Sequence, residues 1–365
     1  MQEDDFLPKK SLNELAGISQ PNTTGATSIK TIQALRRKDI DVEDLIKKLL
    51  TGDIPSLSRA ITLIESSHPK HSKMGQQIIQ ACLPYANNSI RIGITGVPGV
   101  GKSTFIESFG TYLTSINKKV AVLAIDPSSS ISKGSILGDK TRMEDLVKNP
   151  DAFIRPSASG TNLGGVSRKT REAIILCEAA GFDTLLIETV GVGQSETAVH
   201  SMTDFFLLLN LAGAGDELQG IKRGIMEMAD GIIINKADGD NLDRARNAKL
   251  DVNRALQLFP ANVSVLKPKV LLASAYYNEG ISDVWKLIST FIELVKNNNH
   301  FDSNRNNQNI YWLRETINEQ LLQQFYQNEY MENEIAASEN KIKKHEISPF
   351  EAANKLLDFY KDLNK

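Results

Sequence analysis

The residues Gly96-Val97-Pro98-Gly99-Val100-Gly101-Lys102-Ser103 carry the spacing G-x-x-x-x-G-K-[ST], and Thr104 follows. Such a run wraps backbone N–H groups around phosphate oxygens. The N-terminus of the following helix adds partial positive charge. Lys102 is expected to bridge the β- and γ-phosphates, and the Ser103 hydroxyl to bind Mg²⁺. A second run, Asn235-Lys236-Ala237-Asp238, has the form N-K-x-D. A carboxylate there only accepts hydrogen bonds, and the N1–H and N2–H₂ of guanine are adjacent donors. Adenine would set an acceptor against it, so the run favours GTP or GDP over ATP. Ser274-Ala275-Tyr276 ends a later apolar run, where backbone N–H groups are expected to close over the base.

Hydrolysis needs Mg²⁺ held opposite the phosphate loop and segments that sense the γ-phosphate. Asp126 follows Val122-Leu123-Ala124-Ile125, and Glu188 follows Leu185-Leu186-Ile187; an acid at a strand end beside the loop is poised to hold a Mg²⁺-bound water. Asp139 is a third candidate. Two glycine-rich runs, Gly191–Gln194 and Gly213–Arg223, suit switches; Gln194 stands in for a water-positioning residue. Of the five histidines, only His68 and His71 are close in sequence, and Pro69 between them reads as a surface loop. The two cysteines, Cys82 and Cys177, cannot form a disulfide framework and read as core residues.

These groups need strands that end at one edge. Apolar runs read as strands at residues 91–95, 120–126, 152–156, 184–190, 204–211, 231–235 and 270–274. Helical patterns alternate with them, at 103–115, 167–180, 218–229, 242–259 and 281–296. That alternation predicts an α/β fold, a P-loop NTPase with a mostly parallel doubly wound sheet and helical extensions at both ends. Residues 1–28 read as a polar tail, 29–88 as a helical extension, 89–297 as the nucleotide domain, and 298–365 as a linker with C-terminal helices. Asn297–Asn307 forms that linker; Ile310, Leu313, Ile317, Leu321 and Phe325 then make an apolar stripe, and Ser348-Pro349 opens a last helix.

Composition sets bounds. The chain has 365 residues and a formal net charge of −2, so it lacks the basic excess of a protein bound mainly to a nucleic-acid backbone. It has neither a secretory leader nor an apolar run of spanning length, which reads as a cytoplasmic protein with no membrane partner.

Several longer runs are similar to those of the MeaB/ArgK-type GTPases: Ile125–Ser129, Gly138–Met143, Glu188–Glu196, Gly213–Lys222 and Asn235–Asp240. The resemblance extends from about Leu45 to the C-terminal helices. It implies a GTPase that serves as chaperone to an adenosylcobalamin-dependent acyl-CoA mutase of the methylmalonyl-CoA mutase type, gating cofactor loading and protecting or reactivating the enzyme. It further implies a homodimer formed through C-terminal helices. Asp126, Asp139 and Glu188 are by this resemblance the acids around Mg²⁺, and Lys222 belongs to a third switch that engages nucleotide. Two alternatives are a metallochaperone GTPase, which would need a Cys/His site, and a P-loop kinase regulating amino-acid transport.

Overall fold

Strands that are buried on both faces are written as unbroken apolar runs, and seven such runs form the centre of this molecule. In the computed structural model, residues 40–66, 68–125, 143–156, 163–189, 195–212, 223–258 and 267–363 are described. The strands are β1 (Ile90–Gly96), β2 (Val120–Ile125), β3 (Ala152–Arg155), β4 (Thr184–Thr189), β5 (Phe205–Leu211), β6 (Gly231–Asn235) and β7 (Lys269–Leu272). They form one sheet in the order β3-β2-β4-β1-β5-β6-β7, and every pairing is parallel. Each strand lies within a residue or two, at either end, of the apolar run that marks it.

Parallel strands need crossovers; helices supply these, and further helices precede β1 and follow β7. They are α1 (Val42–Leu50), α2 (Ile54–Glu65), α3 (Pro69–Cys82), α4 (Lys102–Ser115), α5 (Leu163–Ala179), α6 (Ser195–His200), α7 (Arg223–Met228) and α8 (Leu242–Gln257). Then come α9 (Ile281–Asn297), α10 (His300–Tyr326), α11 (Glu329–Lys343) and α12 (Pro349–Leu363). Phe105, Ile106, Phe109 and Leu113 of α4 and Val284, Ile288, Phe291 and Ile292 of α9 bury against Ile92, Ile94, Val122, Leu186 and Leu207 of the sheet. The opposite sheet face is covered by α5 and α6.

At the N-terminal side, Leu45 and Leu49 of α1 and Leu57, Ala60, Ile61 and Ile64 of α2 are buried, on the faces that their spacing predicts. Asp53 caps α2 by accepting the Ser56 N–H at 2.9 Å, with Pro55 in the first turn. His68 and His71 do not lie in a surface loop. Pro69 occupies the first turn of α3, and His68 caps it, its Nδ1 accepting the Lys70 N–H at 3.2 Å. Both cysteines are buried, and burial pushes the Cys82 thiol up to about 11.

The polar run Asn297–Asn307 departs from the linker expectation: from His300 onward it is helical, as the first two turns of the 27-residue α10. The C-terminal part also holds three helices where two are expected. Asn328 opens the unexpected α11 by accepting the Tyr330 N–H at 3.0 Å, and Ser348 caps α12 by accepting the Glu351 N–H at 3.1 Å. Among the described residues no helix is long and apolar enough to cross a membrane.

Candidate functional site

The segment 97–101 turns from β1 into α4 and lies along the carboxyl edge of the sheet, where open α/β sheets bind ligands. Two glycines make its shape possible. A Cβ at Gly96 would stand 2.5 Å from the Leu209 carbonyl of β5, so only glycine allows that approach. Gly101 has φ +89°, and a Cβ there would come 3.1 Å from Asn235 Nδ2. The first turn of α4 begins at Lys102, whose Nζ donates to the Gly96 carbonyl at 2.7 Å. Burial lowers the Lys102 pKa, while the nearby charges of Glu188 and Glu196 act in the opposite direction. Glu188, on β4, pairs in register with Ile94 of β1 and Ala124 of β2 and is buried. Its negative charge therefore bears on the phosphate-loop lysine.

The second half of the site begins where β6 ends. Asn235 is buried, and its Nδ2 donates to the Val100 carbonyl at 2.9 Å. Its Oδ1 accepts the Ala275 N–H at 3.3 Å, so one side chain ties the phosphate loop to the turn after β7. Lys236 has φ +56° and reaches back with Nζ to the Gly99 carbonyl at 2.9 Å. The Ser274 hydroxyl donates to the Asp238 carboxylate. Ser274 and Ala275 were expected to turn their N–H groups on a base, but both are engaged within the protein. The Ser274 N–H donates to the Glu279 carbonyl at 3.0 Å, and the Ala275 N–H goes to Asn235.

Gly101, Thr104, Asn235, Lys236, Asp238, Ala275, Tyr276 and Tyr277 enclose a cavity of about 310 Å³, near the small end of ligand sites. Thus the two motifs, 135 residues apart in sequence at Val100 and Asn235, share one pocket. Tyr277 and Glu196 were not singled out in the sequence. Tyr277 could have been found from its neighbour Tyr276; Glu196 closes the run Glu188–Glu196, but only its place on α6 brings its charge to bear on Lys102. Asp126, Asp139, Gln194 and Lys222 lie outside the described residues.

A hard divalent cation takes oxygen ligands. The Ser103 hydroxyl at the first turn of α4 and the Glu188 carboxylate at the end of β4 are such donors, and the influence of Glu188 on Lys102 sets it against the loop. The described residues therefore fit Mg²⁺ in donor type.

The central phosphate loop, the parallel sheet and the N-K-x-D strand end define a P-loop GTPase. The family described as methylmalonyl Co-A mutase-associated GTPase MeaB matches residues 57–330. The chain belongs to that family. It is 43% identical over 314 residues to the GTPase ArgK of Escherichia coli, covering 86% of this chain and 95% of the relative. It is 42% identical over 330 residues to the mitochondrial methylmalonic aciduria type A homolog of Mus musculus, covering 88% of this chain and 80% of that protein. A crystal structure titled LAO/AO transport system kinase superposes with a TM-score of 0.71 at 37% identity, covering 89% of this chain and all of that one.

Proposed function

We propose that this GTPase is a chaperone of an adenosylcobalamin-dependent acyl-CoA mutase, and that its guanine nucleotide occupies the pocket between the phosphate loop and the β6 and β7 ends. The observation that carries the nucleotide reading is the wiring of Asn235 to Val100 and Ala275, with Ser274 on Asp238. Backbone N–H groups from Gly96 through Thr104, other than Pro98, which has none, cradle the phosphates, and Lys102 exchanges its Gly96 carbonyl for phosphate oxygens. Asp238 accepts from guanine N1–H and N2–H₂, while the Lys236 stem and Tyr276 flank the ring. Ser103 and Glu188 would hold Mg²⁺, together with Asp126 and Asp139. Bound there, the ion would neutralise charge on the β–γ bridge. Lys222 and Gln194 are the residues proposed to reach the γ-phosphate and its attacking water from the switches.

The mutase partner is supported by the family description and by the name of the mouse relative. A homodimer through the C-terminal helices is supported by α10, where Ile310, Leu313, Ile317 and Leu321 are all about half exposed on one stripe.

One experiment separates these layers. GTP hydrolysis is measured alone and with a holo-mutase of this class, for the native chain and for Asp238→Asn. Expected are slow intrinsic hydrolysis, acceleration by the mutase, and a loss of GTP affinity of roughly 100-fold with a gain for XTP in the variant. A mutase that changes neither hydrolysis nor nucleotide affinity overturns the partner. Tight GTP binding without XTP gain in the variant removes Asp238 from the base.

A further inference from the structure

A second cavity, of about 270 Å³, opens at the amino edge of the sheet, away from the nucleotide pocket. Its walls come from the starts of β5 and β6, the end of α7, and the α9–α10 corner. Met228, Phe291 and Val295 give it an apolar side, and Asp204, Glu227 and Asp230 give it carboxylates. Among the described residues that line it, none is lysine or arginine. Two cations on the flanking helices α9 and α10 are already engaged. Arg305 holds Asp204 through two bonds of 2.8 and 2.7 Å, and Lys296 lies over the Phe301 ring at 5.0 Å.

Asp204 is thereby neutralised, but Asp230 has a different environment. Its Oδ2 accepts the Phe206 N–H at 2.8 Å, and its own N–H donates to the Phe206 carbonyl at 2.9 Å. These bonds fix the carboxyl at the mouth of β6. Among the described residues no positive side chain contributes to its charge balance, and burial pushes its pKa up to about 7. An ammonium placed beside it would relieve that cost.

A bare divalent ion does not fit this chemistry: among the described residues no group of three or more His, Cys, Asp or Glu side chains is arranged to hold a metal. A cation that brings its own hydrocarbon uses both halves of the lining. We propose that this cavity binds a small primary alkylammonium, with its stem against Met228, Phe291 and Val295 and its ammonium on Asp230. The cavity volume restricts the ligand to a short chain.

The test uses the full chain and n-butylammonium chloride, titrated calorimetrically at pH 8 and constant ionic strength, with 1-butanol as the neutral control. Asp230→Asn keeps an oxygen for the Phe206 N–H, and its fold is checked by circular dichroism. Glu227→Gln, on the cavity wall contributed by α7, is a second variant. The expected result is saturable binding of the ammonium, none of the alcohol, and an affinity at least about tenfold weaker in Asp230→Asn. Weakening in Glu227→Gln as well as Asp230→Asn supports a shared acidic wall. No saturable binding, or equal affinity in native chain and Asp230→Asn, overturns the proposal. Because neither readout involves guanine nucleotide, its failure leaves the nucleotide reading where it stands.

Discussion

The two edges of the sheet use charge in opposite ways. At the carboxyl edge, Lys102 and Lys236 spend their ammonium groups on the backbone carbonyls of Gly96 and Gly99, contacts that are easily exchanged for a ligand's oxygens. At the amino edge, charges face one another and are sealed. Arg91 bonds Glu178 at 2.8 and 2.9 Å, and Glu178 also accepts from the Ser89 hydroxyl and the Asn87 N–H. Arg305 of α10 binds Asp204 with two bonds, and its guanidinium also reaches the carbonyls of Asn87 and Ser89 at 2.7 Å. The same α10 donates from Gln308 to the Thr203 carbonyl and from Trp312 to the Ser201 carbonyl. One edge is arranged to exchange partners and the other to hold the C-terminal helix against the strands. Mutations should therefore separate function from stability along the strand axis.

The largest effect is expected at the sealed edge. Arg305→Met removes one member of a pair whose side chains are 7% and 1% exposed, leaving Asp204 charged and buried. Breaking such a pair from one side costs about 3–5 kcal/mol, whereas replacing both partners costs far less. Urea denaturation should report that loss for Arg305→Met and recovery of much of it in Arg305→Met with Asp204→Asn. GTP hydrolysis per folded molecule should remain close to native in both. If hydrolysis falls as steeply as stability, the two edges are not separable.

Asn235→Ala tests the other edge. It removes the bond to the Val100 carbonyl and the acceptor for the Ala275 N–H, each an unmet buried group worth roughly 1–3 kcal/mol. Here the loss should appear mainly in binding, as GDP affinity about 10- to 100-fold weaker by equilibrium titration, with a smaller shift in the urea midpoint. An unchanged affinity would mean that the phosphate loop and the base strand act independently.

How much of this contrast can be read in the sequence differs between the edges for a physical reason. The carboxyl edge is built from short local runs, in which loop geometry requires glycine and guanine requires an acceptor-only side chain. Gly101, Lys102, Asn235 and Asp238 are therefore visible by type and spacing. The strands are legible too, since burial on both faces leaves little but apolar residues in β4, β5 and β6. The amino edge is assembled from pairs such as Arg305 with Asp204, 101 positions apart. No local pattern joins them, and Arg305 sits in an asparagine-rich run that composition assigns to a linker. Tertiary contacts decide that run. Arg305, Gln308 and Phe301 are buried against the sheet, and their burial makes His300–Asn307 helical despite its polarity. The Ser274 and Ala275 N–H groups fail in the same way, since the Ser274–Glu279 bridge that occupies one of them has no signature of its own.

The smallest effect concerns Asp230, a carboxyl at the same edge that no arginine holds. Asp230 has an ordinary pKa of 3.8 and is pushed up to about 7 in the folded chain by burial, against the opposing bond from the Phe206 N–H. Between about pH 4 and pH 7 the folded chain thus holds a proton that the unfolded chain has released. Stability falls as pH rises through that window, and it is level on either side. Other groups line the same cavity: Glu227 from α7, His200 from α6, His300 from α10, and Asp204 paired with Arg305. Their titrations are common to the native chain and Asp230→Asn, so the difference between the two isolates this carboxyl. Urea midpoints at pH 5, 6, 7 and 8 should show the native chain losing ground to the asparagine variant as pH increases. A difference that stays constant from pH 5 to pH 8 would mean that Asp230 is ionised throughout. The amino edge would then compensate all of its charges, and an ammonium would have nothing to neutralise there.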